Sequence, residues 1–311
     1  MVCLAGILAS FAGPADDILR RLAGLHHVSG STTERLTEET GQRLQAQHRA
    51  GTPVRPAVPQ PAWDFRLEEH PGTAAFVGLD AFSVPMQGPK GKKAEHRMLY
   101  VGLLYTPDKR HTVYLTDFDL DRLAGQLRLY AIALGLSQAG DVVAIFDGGN
   151  GLEGALKRSF WDDLACILDW YHAAGHLHAF AAVQHPGDAA RAGAWAQQAK
   201  GVLYEQGGTA LLNWLRQVEA SGPEAAEELR KLVQYFQDNE HRTDYPSYRA
   251  KGWDIGSGPT EAGCKVIGAR LKGAGMRWSE EGAEPVAALR CLYLSGEGLW
   301  DGFWAQPRAA A

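Results

Sequence analysis

Three acidic residues stand where a carboxylate is costly unless it has a partner or a ligand. Asp80 interrupts the apolar segment FVGLDAF, Asp147 ends the apolar run VVAIFD, and Glu261 opens a helical pattern in IGSGPTEAGCK. Converging carboxylates are what a pair of Mg²⁺ or Mn²⁺ ions requires for phosphoryl transfer, so the three acids are predicted to be catalytic metal ligands. The alternative is an edge-strand Asp80, a helix-capping Asp147 and a Glu261 that only favours the helix dipole. Their spacing alone does not separate the two interpretations.

The segment IGSGPTEAGCK also nearly matches a phosphate-binding loop, because two of its glycines have the G-x-x-x-x-G spacing. It departs from that motif because Cys264 precedes Lys265 and Val266 stands where a metal-binding Ser or Thr is required. Pro259 suits the first position of a helix, which places Glu261 in the first turn with Lys265 one turn further along the same face. We therefore expect Glu261 to bind a metal ion and Lys265 to bind a phosphate of a nucleic acid strand.

A group of histidines raises a second metal question. Asp169, His172 and His176 recur at helical spacing and share one face, so they could ligate zinc. The segment HAAGH lacks the glutamate of the H-E-x-x-H motif, however, and Cys166 is the sole cysteine nearby in sequence. The interpretation we favour makes Asp169 and His172 supporting groups that orient the active site, with His176 and His178 structural or solvated.

The elements that must position these residues form an α/β pattern. From residue 73, TAAFVGLDAFSVPM, RMLYVGLLYTP and HTVYLTDF predict three sequential strands, and DRLAGQLRLYAIALGLS predicts a crossover helix to a buried central strand, DVVAIFDGG. Residues 152–250 are predicted to be helical, with breaks at 185–187, 207–208 and 221–223. The order β-β-β-α-β followed by helices is that of an RNase H-like domain with a mixed sheet.

The N-terminal region differs from this pattern. Residues 10–24 and the segment TTERLTEETGQRLQAQ predict two helices around a turn, either part of a helix-turn-helix or a hairpin without DNA contact. Four prolines between residues 53 and 61 predict a linker. The predicted organisation is an N-terminal helical segment (1–50), a Pro-rich linker (51–72), the first part of the catalytic core (73–180), a helical insertion (181–250) and the last part of the core (251–311).

Composition bears on the compartment. The cysteines are scattered without a C-x-x-C pair, no Lys or Arg precedes the apolar opening MVCLAGILASFAG, and no apolar run approaches the about 20 residues of a membrane span. These features predict free thiols and a soluble cytoplasmic protein, associated with the nucleoid if it acts on DNA.

The motif segments carry a resemblance to a known family. VGLDAFSVPM, FDGGNGLEGAL, ILDWYHAAGHL and above all YPSYRAKGWDIGSGPTEAGCKVIGARLKGAGMRW resemble DDE transposases of bacterial insertion sequences of the ISKra type. That family shares its D, D, (C or D)-x-x-H, E pattern with Mutator-like transposases. The resemblance runs from about residue 70 to residue 305 and is weaker over residues 10–50. It implies a catalytic triad of Asp80, Asp147 and Glu261, a D-x-x-H element from Asp169 to His172, and a helical insertion into an RNase H-like core.

The resemblance also implies substrates and partners. They are the double-stranded DNA of the element's terminal inverted repeats and of the target, and a second copy of the chain in a homodimer or higher oligomer. The net charge of -5 and pI near 6.1 give no whole-chain signature of a nucleic-acid binder, so DNA contacts must come from local patches. Residues 265–277 contain no acid, and the predicted DNA contacts are Lys265, Arg270, Lys272, Arg277 and Trp278.

A second basic cluster, QGPKGKK with Lys90, Lys92 and Lys93, lies on a predicted turn near Asp80; either cluster could instead be an ordinary solvated face. Two other functions also stay open. More DNA-binding sequence commonly precedes the helical hairpin in the resembling family, so the chain could be a truncated or domesticated derivative that only binds DNA. A stand-alone RNase H-like nuclease would share the same carboxylate chemistry.

Overall fold

A five-stranded mixed sheet forms the centre of the computed structural model, which describes residues 1–11, 14–26, 28–89, 92–149 and 151–306. The strands are β1 Ala74–Val84, β2 Arg97–Tyr105, β3 Thr112–Asp117, β4 Asp141–Phe146 and β5 Ala165–Leu168. Their spatial order is β3-β2-β1-β4-β5, in which β1, β2 and β3 are antiparallel neighbours while β4 runs parallel to both β1 and β5. The prediction of an α/β chain with a mixed sheet is confirmed.

Helices cover both faces of this sheet. They are α1 Val2–Leu8, α2 Pro14–Ala23, α3 Gly30–Arg49, α4 Leu120–Ala133, α5 Leu152–Ser159, α6 Trp170–Gln184, α7 Ala189–Leu215, α8 Pro223–Asp238, α9 Tyr245–Ala250, α10 Gly258–Leu271, α11 Glu280–Leu294 and α12 Leu299–Ala305. Successive strand residues point to opposite faces, so Val77 and Phe146 join a cluster with α4, α5 and α11, while Phe76 and Ile145 join a cluster with α6, α7 and α8. No helix among the described residues is long and apolar enough to cross a membrane.

The helical region departs from the prediction at one place. Residues 165–168 were expected to be helical, but they form β5, which pairs in parallel with the second half of β4. Four residues are too few for a strand pattern to stand out from the apolar run that continues into α6. The predicted breaks are confirmed: α6 ends at Gln184, α7 ends at Leu215, and Gly207 inside α7 has φ 83°, which kinks the helix.

The N-terminal region is packed onto the core. Helix α3 crosses α11 so closely that a Cβ at Gly41 would overlap the backbone of Pro285. The segment 51–72 was expected to be a linker, yet Val54, Trp63 and Phe65 are buried in the same cluster as α4. The Val54 N–H donates to the Tyr130 hydroxyl at 2.9 Å, which ties this segment to α4. Proline content predicts a linker, but it does not indicate that the segment lies against a helix.

Candidate active site

Asp80 and Asp147 lie side by side on two parallel strands. The register pairs Gly78 with Ile145 and Leu79 with Phe146, so Asp80 and Asp147 occupy the next step of the β1–β4 pair. Both continue the alternation of residues that face α6, α7 and α10 rather than α4, because Asp80 follows Phe76 and Gly78 by steps of two and Asp147 follows Ile145. The two acids predicted from separate segments therefore share one edge and one face of the sheet.

Glu261 comes to this edge because α10 packs directly on β1. Pro259 is in the first turn of α10, as expected, and Glu261 is its first-turn acid. The two elements are in very close contact, because a Cβ at Gly78 in β1 would overlap the hydroxyl oxygen of Thr260 in α10. Only a glycine in β1 lets the helix start so near the strand, and this approach brings Glu261 close enough for its charge to act on Asp80, two residues after Gly78 in β1.

The pKa of Asp80 depends on its burial and on the charges of the other two acids. Burial raises the pKa of the Asp80 carboxyl, and the negative charges of Asp147 and Glu261 raise it further. Hydrogen bonds from the Ala81 N–H, at 2.7 Å, and from the Cys264 thiol act in the opposite direction. The charges of Asp147 and Glu261 thus add to the effect of burial on Asp80, and a divalent cation bound beside Asp80 would oppose both.

Each of the other two acids has a local partner. Oδ1 of Asp147 accepts the Gly149 N–H at 2.8 Å, and Oε2 of Glu261 lies 3.5 Å from the Lys265 ammonium, one turn along α10. The Glu261 side chain is 47% exposed and that of Lys265 is 79% exposed. With these side-chain positions, no set of three or more His, Cys, Asp or Glu in the described ranges forms a group that could hold a metal ion.

Asp169 connects two of the elements that build the site. It follows β5 directly, is 2% exposed, and caps α6 by accepting the Tyr171 N–H at 2.9 Å. Its carboxylate also accepts the Ser257 hydroxyl at 2.6 Å and the Ser257 N–H at 3.3 Å. Ser257 is the residue that precedes α10, so one buried carboxylate holds together the starts of α6 and α10. Asp169 therefore acts on Glu261 through the placement of its helix.

The histidines of α6 line the cleft beside Glu261. A cleft of ≈ 430 Å³ is bounded by Tyr171, His172, Gly175, His176, Ala179 and Glu261. The Nε2 atoms of His172 and His176 are 3.2 Å apart, and the His176 ring lies 4.0 Å from the ring of Tyr235 on α8. Burial lowers the pKa of His176, the neighbouring His172 lowers it further, and Asp147 opposes both. His172 and His178 are exposed.

The basic patch of residues 265–277 divides into exposed and buried members. Lys265, Lys272 and Arg277 are exposed, as DNA contacts would have to be. Arg270 and Trp278 are 4% and 7% exposed, so the expectation that they contact DNA is wrong for this structure. The Arg270 guanidinium donates to the Gly6 carbonyl at 2.8 Å and stacks on the Trp278 ring, and Trp278 Nε1 donates to the Leu271 carbonyl. Arg270 therefore joins α10 to α1, and Trp278 packs against Arg270 and the end of α10.

In the second basic cluster, Lys92 and Lys93 are exposed, while Lys90 lies outside the described residues.

One buried cation near the site was missed by the sequence analysis. Arg242 follows α8, is 4% exposed, and donates to the backbone carbonyl of Asp147 at 3.3 Å. Its Nε–H also donates to Asn239 Oδ1 at 2.9 Å, and its Cζ lies 4.7 Å from the centroid of the Phe146 ring. The helical insertion therefore braces the end of β4. No motif signals this role, because Arg242 is about a hundred positions from the strand that it contacts.

No protein-family model matches this chain, and no curated protein matches it either. The case for a site at the β1–β4 edge is therefore made by the arrangement of the chain's own residues.

Proposed function

We propose that the chain is a DDE transposase of a bacterial insertion sequence, of the ISKra type, which cleaves and joins DNA strands at the ends of its element. The proposal is supported by two placements: Asp80 and Asp147 continue the register of the neighbouring strands β1 and β4, and α10, which carries Glu261, packs on β1. The strand order β3-β2-β1-β4-β5, antiparallel on one side of β1 and parallel on the other, supports an RNase H-like core. An RNase H-like nuclease shares that core, so the products of the reaction must separate the two.

The oxygen donors of the three acids are of the kind that divalent cations take. Three carboxylates would supply the hard oxygen ligands that Mg²⁺ and Mn²⁺ prefer, and the pKa of Asp80 is raised first by burial and then by the charges of Asp147 and Glu261. On this proposal Asp80, Asp147 and Glu261 hold the metal. Two such ions, when bound, would activate a water or a DNA 3′-hydroxyl and stabilise the leaving oxygen in an in-line displacement at phosphorus.

The chain's own residues then have three tasks. Lys265, whose side chain is 79% exposed and whose ammonium lies 3.5 Å from Glu261, would bind a phosphate beside the scissile one. Lys272 and Arg277 extend the same exposed surface along the DNA backbone. Asp169 and Arg242 touch no substrate; they fix the start of α10 and the end of β4, so that the acids are aligned before DNA arrives.

The partners follow from the reaction. Transposition joins two ends of one element to a target, so the proposed substrate is double-stranded DNA with terminal inverted repeats. Two ends in one reaction require two active sites held together, and the proposed assembly is a homodimer or a higher oligomer on DNA.

Strand cleavage by the purified chain tests this function. The substrate is DNA carrying the inverted repeats that flank the gene, with a target plasmid, in Mg²⁺, in Mn²⁺ and in EDTA. We expect metal-dependent nicking and joined products, both lost in Asp147→Ala and both kept in Asp162→Ala, a change at an exposed aspartate outside the site. Strand transfer that survives in Asp147→Ala would refute the triad.

Two other results would redirect the assignment. Cleavage without any joined product would favour a nuclease. Tight DNA binding with no cleavage in either metal would favour a derivative that only binds DNA.

A further inference from the structure

An exposed aromatic ring stands beside the proposed catalytic edge. Tyr171, in the first turn of α6, is 68% exposed, although rings of this size are usually buried. Its backbone N–H is held by the Asp169 carboxylate, so the residue that fixes α10 also fixes the base of this side chain. The ring lies against backbone: a Cβ at Gly256 would come within 2.7 Å of Tyr171 Cε2. Tyr171 is therefore positioned by its surroundings and still open to solvent.

Tyr171 separates two clefts that meet at the start of α10. One is the ≈ 430 Å³ cleft that contains Glu261. The other, of ≈ 480 Å³, is bounded by Trp170, Tyr171, Tyr204, Lys109, Asp254, Ile255, Gly256, Gly258 and Pro259. A strand with its phosphate at Glu261 would have its neighbouring nucleotide at Tyr171, because the same side chain borders both spaces.

The second cleft has the chemistry of a base site rather than a phosphate site. Three aromatic side chains supply ring surface, and Asp254 places a carboxylate in the cleft, which disfavours a phosphate group. The Lys109 ammonium lies 3.0 Å from that carboxylate, with the two side chains 48% and 31% exposed. A donor and an acceptor side by side complement the hydrogen-bonding edge of a base, while the pair as a whole is close to neutral.

We propose that this cleft binds the unpaired nucleobase of the nucleotide next to the scissile phosphate, with the base stacked on Tyr171 and its polar edge at Lys109 and Asp254. The inference rests on the proposed function and deepens it. A base can reach this cleft only when it is out of the double helix, so the preferred substrate has a frayed, flipped or single-stranded nucleotide at the cleavage position. Stacking on an aromatic ring tolerates every base, so Tyr171 positions the strand without reading its sequence.

Abasic scanning tests the inference without any catalytic step. The probes are fluorescent oligonucleotides of the element end with a short single-stranded overhang, each lacking one base, bound to the full chain in EDTA. For the wild type we expect one position at which removal of the base weakens binding about tenfold. Tyr171→Ala should bind the complete oligonucleotide about tenfold more weakly and show no further loss at that position. Tyr171→Phe keeps the ring and should behave like the wild type.

Matched controls separate binding from folding. Tyr293→Ala removes another partly exposed tyrosine, on α11, and should leave the abasic profile unchanged. The unfolding midpoint of Tyr171→Ala should stay close to that of the wild type, because the side chain is mostly solvated. Asp254→Ala should weaken binding of the complete oligonucleotide while leaving the abasic one unaffected.

The inference is overturned if Tyr171→Ala binds all probes as the wild type does, or if wild type and variant lose the same affinity at every abasic position. In that outcome metal-dependent cleavage and joining can still be observed, so the proposed function would stand. If the wild type binds none of the probes, the base site is refuted. Failure of cleavage in Mg²⁺ and Mn²⁺ would count against the proposed function separately.

Discussion

Replacing Asp169 by alanine should destabilise the protein because this carboxylate joins three chain segments. The substitution removes the acceptor for the Tyr171 N–H at 2.9 Å, the Ser257 hydroxyl at 2.6 Å and the Ser257 N–H at 3.3 Å, in a position that is 2% exposed. Loss of a helix cap costs about 1 kcal/mol, and loss of a buried charge-assisted hydrogen bond costs about 2 kcal/mol. The free energy of unfolding should therefore fall by about 3 kcal/mol.

Denaturant unfolding measures this loss directly. Asp169→Asn keeps one side-chain oxygen that can accept a hydrogen bond, and the Ser257 hydroxyl can turn to accept from the new amide, so this variant should lose about 1 kcal/mol. Asp162→Ala, at an exposed aspartate in the turn before β5, should change the free energy of unfolding by less than about 0.5 kcal/mol. The reasoning is refuted if Asp169→Ala unfolds like Asp162→Ala.

The same substitution should affect strand cleavage through the start of α10. Without the Asp169–Ser257 contact, Glu261 loses the anchor of its helix, and a displacement of about 1 Å at a reacting group costs about 100-fold in rate. We expect the cleavage rate of the bound complex of Asp169→Ala to fall by that order at a temperature where the variant is folded, while any loss of DNA affinity through Tyr171 stays within the about tenfold expected for Tyr171→Ala. A fall in affinity with an unchanged rate of the bound complex would contradict a positioning role.

Other variants test packing and titration. Arg270→Ala should lower the free energy of unfolding by about 3 kcal/mol in a thermal melt, because its buried guanidinium holds α1. Arg277→Ala, at an exposed position, should leave the melt unchanged and weaken DNA binding. Equal effects of the two substitutions in both assays would contradict this division. Gly78→Ala should lower the free energy of unfolding by about 2 kcal/mol, because the added methyl group pushes α10 away from β1. Adding Thr260→Ala should recover part of that loss, since the Thr260 hydroxyl has no hydrogen-bond partner among the described residues. A double variant less stable than Gly78→Ala would argue against the overlap. Burial lowers the pKa of His48 from 6.5 to about 4, so as the pH falls through that window the unfolded chain takes up a proton that the folded chain does not, and stability should drop by about 3 kcal/mol. His48→Gln should lose less over the same pH range in denaturant titrations, and an identical pH profile would refute the assignment.

Much of the sheet was predictable because the sequence pattern of a strand is local. The first three strands and β4 follow from runs of β-branched and aromatic residues with turns between them, and the helix before β4 follows from its helical period. The short strand β5 did not, since four residues within a longer apolar run carry no period of their own. The packed state of residues 51–72 was also missed, because a proline-rich sequence dictates an extended backbone whether or not a helix such as α4 lies beside it.

The candidate site shows the same division. The sequence by itself determined that Asp80 lies within a strand, that Asp147 follows one and that Glu261 begins a helix, because strand alternation and the preference of Pro259 for a helix start act over a few residues. Only the tertiary structure decided that Arg270 is buried while Arg277 is exposed, and that Asp169 binds Ser257. These outcomes depend on contacts between segments far apart in the chain, such as Arg270 with Gly6, and local periodicity carries no information about which distant segment will cover a given side chain.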